Sequence, residues 1–108
     1  MHVDSSFVNG FHVIKINEDL DLKTDINEFS KMLEDHLKDG IHNIALIFSS
    51  NSILYTTALG ILAHCFKLLH AKGGVLAIIN PNDYIKNVLN IAGFAKMIKI
   101  CNSVNDLV

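Results

Sequence analysis

The chain contains no arginine: all 9 of its basic residues are lysine, set against 11 acidic ones for a formal charge of -2. That removes the side chain best shaped for bidentate contacts with phosphate or guanine, so no nucleic-acid partner is expected. Cysteine is nearly as scarce. Cys65 and Cys101 stand far apart and outside any C-x-x-C spacing, so they read as reduced core thiols and not as zinc or redox ligands. No apolar run approaches the ~20 residues that a membrane span needs. Met1-His2-Val3-Asp4 offers neither a basic start nor an apolar segment. The expectation is a soluble cytoplasmic protein without membrane insertion.

What is present is a core. Half of the 108 residues are hydrophobic, enough for one domain spanning 1–108 and too few residues for two. Phe11 to Ile16 reads as a strand, and Asn9-Gly10 joins it to Val3–Val8 as a hairpin because both turn residues tolerate positive φ. Thr24 is the expected cap of a first helix. Its apolar residues Ile26, Phe29, Leu33 and Leu37 recur at helical spacing, Asp25, Glu28, Lys31, Glu34, Asp35 and Lys38 face away, and Gly40 ends it.

Ile44 to Phe48 and Val75 to Ile79 are continuous apolar runs of strand length, as expected of strands covered on both faces. Between them a second helix runs from about Thr57 to Lys72 and closes on Gly73-Gly74, which makes a parallel β-α-β unit. Pro81 opens a third helix with Ile85, Val88, Leu89 and Ala92 inward and Gly93 as its stop. Met97 to Cys101 is a last short strand, and Ser103 caps a stub of helix. The fold class is therefore α/β, a mixed sheet of four to five strands with a parallel β-α-β core and flanking helices.

The second helix breaks the usual pattern. From Tyr55 to Lys72 its only charges are Lys67 and Lys72, while Leu59, Ile61, Leu62, Ala63, Cys65, Phe66, Leu68 and Leu69 wrap most of it. Two explanations stand side by side: burial between other helices, or a patch that meets a partner, with weak homodimerisation where no partner is present. Tyr55-Thr56-Thr57 places two hydroxyls at its N-terminus, where orphan N–H groups and the helix dipole favour negative charge. A phosphate there would add ~1.5 to 2 negative charges to an apolar surface. The plainer reading of Thr56 or Thr57 is a helix cap.

Glu18-Asp19-Leu20-Asp21-Leu22-Lys23-Thr24 resembles the G-E-L-D-x-x-T signature of STAS domains, with Glu18 in place of the glycine. Tyr55-Thr56-Thr57-Ala58-Leu59-Gly60 is similar to the family's D-S-S/T-G-L-G motif, and Gly73 to Pro81 to its G-G-x-L-x-L-x-N-P. Val88 to Phe94 resembles its helix ending in L-x-x-x-G-L/F. The resemblance runs from about Phe11 to Leu107 and points to the anti-sigma factor antagonists. It implies a partner-switching module that binds an anti-sigma factor Ser/Thr kinase and is released by phosphorylation at Thr56, or failing that Thr57. Asp21, Tyr55, Thr56, Thr57, Ala58, Leu59 and Leu62 are then the partner-facing residues. Tyr55 replaces the motif's Asp and Ala58 its Gly. The alternative implied by the family is an unphosphorylated binding subunit on the ATPase of a lipid-transporting ABC system, or a stress-signalling scaffold.

Catalysis is not expected, nor any cofactor or metal. His64 and Cys65 are adjacent, so they do not face each other on a helix, and His64 and His70 are six apart, poor spacing for a shared metal. His2, His12, His36 and His42 fall on different elements, at the surface or at strand ends. Ser49-Ser50-Asn51-Ser52 lacks the glycine and lysine of a phosphate-binding loop and reads as a polar turn.

Overall fold

The computed structural model describes residues 1–37 and 40–107. Strand β1 (Val3–Val8) turns back on β2 (Phe11–Ile16) through Asn9 and Gly10, with φ of 51° and 84°. Two successive positive φ values give the turn the twist that the flanking strands require. Strands β3 (Asn43–Ile47), β4 (Val75–Ile79) and β5 (Lys99–Cys101) then add in parallel, so the five-stranded sheet runs β1-β2-β3-β4-β5 in chain order. Each parallel step crosses over through a helix: α1 (Ile26–Leu37), α2 (Thr56–Ala71) and α3 (Asp83–Ile91).

All three helices bury their apolar stripes on one face of the sheet. Ile14, Ile16, Ile44, Leu46, Leu76 and Ile78 meet Phe29 and Leu33 of α1, Leu62 and Leu69 of α2, and Ile85 and Leu89 of α3. On the other face Phe11, Val13, Ala45, Ala77, Ile79 and Cys101 lie under Leu107. The carbonyl of Leu107 is held by Asn9 Nδ2 at 2.7 Å. The central strands are apolar from Ile44 to Ile47 and from Val75 to Ile79 because both their faces are covered, and the small Ala45 and Ala77 give the segment that carries Leu107 room to lie close.

Several local expectations need correction. Thr24 does not cap α1: its hydroxyl accepts the Asp21 N–H and donates to the Asp19 carbonyl, while Asp25 Oδ1 accepts the Asn27 N–H at 3.0 Å. Pro81 stands before α3 and not at its first position. The cap is Asn82, whose Oδ1 accepts the Ile85 N–H at 2.8 Å. Ala92 is the C-cap of α3 and exposed, not inward. Strand β3 starts one residue earlier than its apolar run, and β5 keeps only three residues because Phe94–Lys96 forms a short 3-10 turn. Lys38, expected on the outer face of α1, lies outside the described residues.

Helix α2 ends as the glycine pair requires. Gly73, at φ 76°, donates to the His70 carbonyl and Gly74 to that of Leu69, at 2.9 and 2.8 Å, which is the paired bonding of a Schellman cap. The stub at Val104–Asp106 forms too, with Asp106 Oδ2 accepting the Ser103 N–H at 3.3 Å. His12 and His36 are not scattered: their rings meet edge-on at 4.8 Å, and Phe7 stacks on His12 at 4.6 Å. A carbonyl only accepts, so His36 carries its proton on Nδ1, 2.7 Å from the Met32 oxygen.

Candidate functional site

Strand order places α2 over the middle of the sheet, between α1 and α3. This accounts for its apolar breadth. Ala58, Leu62, Cys65 and Leu69 face the sheet, and Leu59, Ile61 and Phe66 are half-buried at the flanks. Leu62, at 0 % exposure, cannot meet a partner, and Ala58, at 2 %, offers a partner only the floor of a cleft. The expectation that these two form an interaction surface is therefore corrected. Leu59 remains partly accessible.

The loops that follow β2 and β3 emerge at the carboxyl ends of parallel strands, where open α/β sheets form their binding crevices. Here they enclose a cleft of about 200 Å³. One wall carries Leu20, Asp21, Leu22 and Thr24. The other carries Ile53, Tyr55, Thr57 and Ala58, and Ile26 contributes from α1. Leu22, at 78 % exposure, and Tyr55, at 37 %, put apolar surface at the mouth. Glu18, Asp19, Asp21, Asp25 and Glu28 line an adjoining groove with Lys23 as the one cation, so this rim is strongly acidic.

Neither threonine is the cap of α2. The capping position belongs to Tyr55, whose side chain makes no cap bond, and Thr56 and Thr57 are both exposed on the first turn. They point apart, because successive helical residues are rotated by about 100°. With Ala58 facing the sheet, Thr57 falls on the flank toward α1 and lines the cleft, while Thr56 falls on the outer face and does not. Asp21 stands across from Thr57 on the opposite wall. One of its oxygens accepts the Lys23 N–H at 2.8 Å, so its carboxylate also folds its own loop.

Sequence reasoning places Asp21, Tyr55 and Thr57 in one region, and the structure brings them into one cleft. It misses Leu22, Thr24 and Ile53. It also misses that Ser49 to Ser52 do more than turn the chain. Ser52 Oγ accepts the Leu20 N–H at 2.9 Å and is paired with Ser49 Oγ at 2.7 Å, Ser49 donates to Asp19, and the Ile53 N–H donates to the Leu20 carbonyl at 2.7 Å. These bonds tie the two walls together.

Burial pushes the Cys65 thiol up from 9.0 to about 11, so it stays protonated at neutral pH. Among the described residues no three His, Cys, Asp or Glu side chains are placed to hold a metal ion, and no helix is long and apolar enough to cross a membrane.

The STAS domain model matches residues 2–107. A protein of Thermotoga neapolitana named as a candidate anti-sigma factor antagonist is 24% identical over 75 residues, which are 69% of this chain and 66% of that protein. The crystal structure of a candidate anti-sigma factor antagonist from Thermotoga maritima superposes with a TM-score of 0.85 at 22% identity, covering 96% of this chain and 89% of that one. Unphosphorylated SpoIIAA, an anti-sigma factor antagonist, gives 0.73 at 16% identity, over 94% and 89% of the two chains. Phosphorylated SpoIIAA, a Bacillus cell fate determinant, gives 0.68. With the order of the strands, the loops at their carboxyl ends and a family match over nearly its full length, this chain belongs to the STAS domain family.

Proposed function

We propose that this chain is a protein-binding module of the anti-sigma factor antagonist type, and that it docks an anti-sigma factor kinase through the cleft between the β2–α1 loop and the start of α2. The observation that carries the reading is Thr57, exposed on the first turn of α2 and lining a cleft with apolar lips and an acidic rim, with the exposed Thr56 beside it on the outer face. Such a surface suits a partner that presents apolar side chains flanked by lysine or arginine. Of the two hydroxyls named from the sequence, Thr57 is the one whose phosphorylation would act on the cleft itself. A phosphate there adds ~1.5 to 2 negative charges beside Asp21 and fills space that a partner side chain would enter. Thr56 is the second acceptor in this reading, on the outer face of α2. The chain works by binding and release in the cytoplasm, without catalysis of its own.

A second reading is favoured by Tyr55, which stands where the family motif has Asp: a constitutive binding subunit, for instance on a transporter ATPase, whose threonines are never modified. One experiment separates the two. The chain is captured from its own cell extract with its partners and read by mass spectrometry at Thr56 and Thr57. A GHKL-type kinase in the eluate, phosphate on either threonine, and loss of that kinase in Thr57→Asp but not Thr57→Ala support the switch. A transporter ATPase bound equally by both variants, with both threonines unmodified, overturns it in favour of the subunit.

A further inference from the structure

The cleft is built by two loops that belong to different crossovers, and their spacing decides what fits between Asp21 and Thr57. Ser52, at 0 % exposure, is the one fully buried polar side chain among the described residues, and from the β3–α2 loop it bonds to Leu20 of the other. The sense of its bonding follows from the acceptor at the end of the chain. The Asp19 carboxylate only accepts, so Ser49 spends its proton there and Ser52 spends its own on Ser49, which leaves Ser52 Oγ to receive the Leu20 N–H. The relay starts and ends on neighbouring residues of one wall and passes through the other.

A third element holds the loop that carries this relay. Asn82 Nδ2 donates to the carbonyls of Ser50 and Ser52, both at 2.9 Å, while its Oδ1 caps α3 by accepting the Ile85 N–H. A helix cap needs only an acceptor, and aspartate, serine or threonine would serve. Only an amide accepts at one end and donates twice at the other. We propose that Asn82 is a positioning residue for the cleft: through the Ser50 and Ser52 carbonyls it seats the β3–α2 loop, and so sets the distance between the Leu20–Asp21 wall and the Tyr55–Thr57 wall. The inference rests on reading that cleft as the docking surface.

The test exploits the two ends of the side chain. Asn82→Asp keeps the capping oxygen and adds a charge that the N-terminus of α3 welcomes, but strips both donors and sets a carboxylate against two carbonyl oxygens. Asn82→Ser keeps a cap and removes the donors without adding charge. Amide hydrogen exchange and nitrogen-15 spectra are recorded on the isolated full chain. In both variants the Leu20 and Ile53 amides should lose roughly tenfold of their protection and the Tyr55 to Ala58 resonances should shift, while the Ile85 and Ile78 amides hold theirs. Unchanged Leu20 and Ile53, or equal losses at Ile85 and Ile78, would show that Asn82 is a cap and nothing more. These readouts need no partner, so failure of the docking reading, seen as equal partner capture by Thr57→Asp and Thr57→Ala, leaves the exchange result standing on its own.

Discussion

Gly74→Ala should be among the most damaging single-methyl changes available in this chain, and the reason is distance. A Cβ built on Gly74 falls 1.6 Å from the His42 carbonyl oxygen, 2.6 Å from its carbon and 3.1 Å from the Leu69 oxygen. The nearest atoms are backbone, so no side chain can swing aside, and the His42 oxygen must retreat from 1.6 Å to at least 3.0 Å. His42 leads into Asn43, which pairs with Val75 and accepts its N–H at 2.9 Å through the side-chain Oδ1, so the retreat strains the start of the pairing between β3 and β4. It also strains the Gly74 bond that closes α2. Overpacking costs about 1–3 kcal/mol where side chains can adjust, so a backbone obstacle should reach about 3 kcal/mol or more. For a domain whose total stability is about 5–15 kcal/mol, that lowers the melting point by more than about 10 °C. Gly73→Ala is the control: nothing lies within 4 Å of its Cβ, and only φ of +76° penalises it, by about 1–2 kcal/mol. Urea unfolding followed by circular dichroism at equal m-values measures both. If Gly73→Ala proves as costly as Gly74→Ala, the close approach of β3 to the end of α2 is wrong.

Gly60 sits inside α2 with open space for 4 Å around an added Cβ and no positive φ, so Gly60→Ala should stabilise the chain by up to about 1 kcal/mol in the same urea assay. Leu22 is largely exposed, so Leu22→Ser should change stability by less than about 0.5 kcal/mol while reducing capture of the partner; retained capture would remove Leu22 from the docking surface. Cys65 makes stability fall at high pH. The unfolded thiol ionises near 9.0 and the buried one only at about 11, so the folded state holds the proton longer and loses about 2–3 kcal/mol relative to the unfolded state between those values. In Cys65→Ala the decline of unfolding free energy from pH 9 to 11 should be shallower by about that amount.

Legibility follows the range of the forces involved. Asn9-Gly10 and Gly73-Gly74 announce their turns because the requirement for positive φ is local, and β4 is legible to the residue because two glycines and Asn80 bound its apolar run. Pro81 misleads because it is tolerated at a first helical position, yet Asn82 next to it captures the Ile85 N–H. The apolar count of α2 does not say which neighbours absorb it, so Leu62 reads as outward when two flanking helices and the sheet enclose it. A signal for the correct placement is present. Ala58, Leu62, Cys65 and Leu69 recur at spacings of 4, 3 and 4, and with that stripe facing the sheet Thr57 lands on the flank and Thr56 outside. The bonds from Asn82 to Ser50 and Ser52 join residues about 30 positions apart and carry no local signature.

The strands of this sheet lie in space in the order in which they occur in the chain. No strand has to wait for a later one before it can bond, and each βα unit can settle on the edge left by the unit before it. A chain leaving the ribosome can therefore build its sheet from the hairpin onward, at each stage exposing one unfinished edge. The segment that carries Leu107 follows all five strands in the chain and closes over Ala45 and Ala77. Until that segment is seated these two alanines are open on the far face of the sheet, so its docking shields the nascent protein against association through that surface.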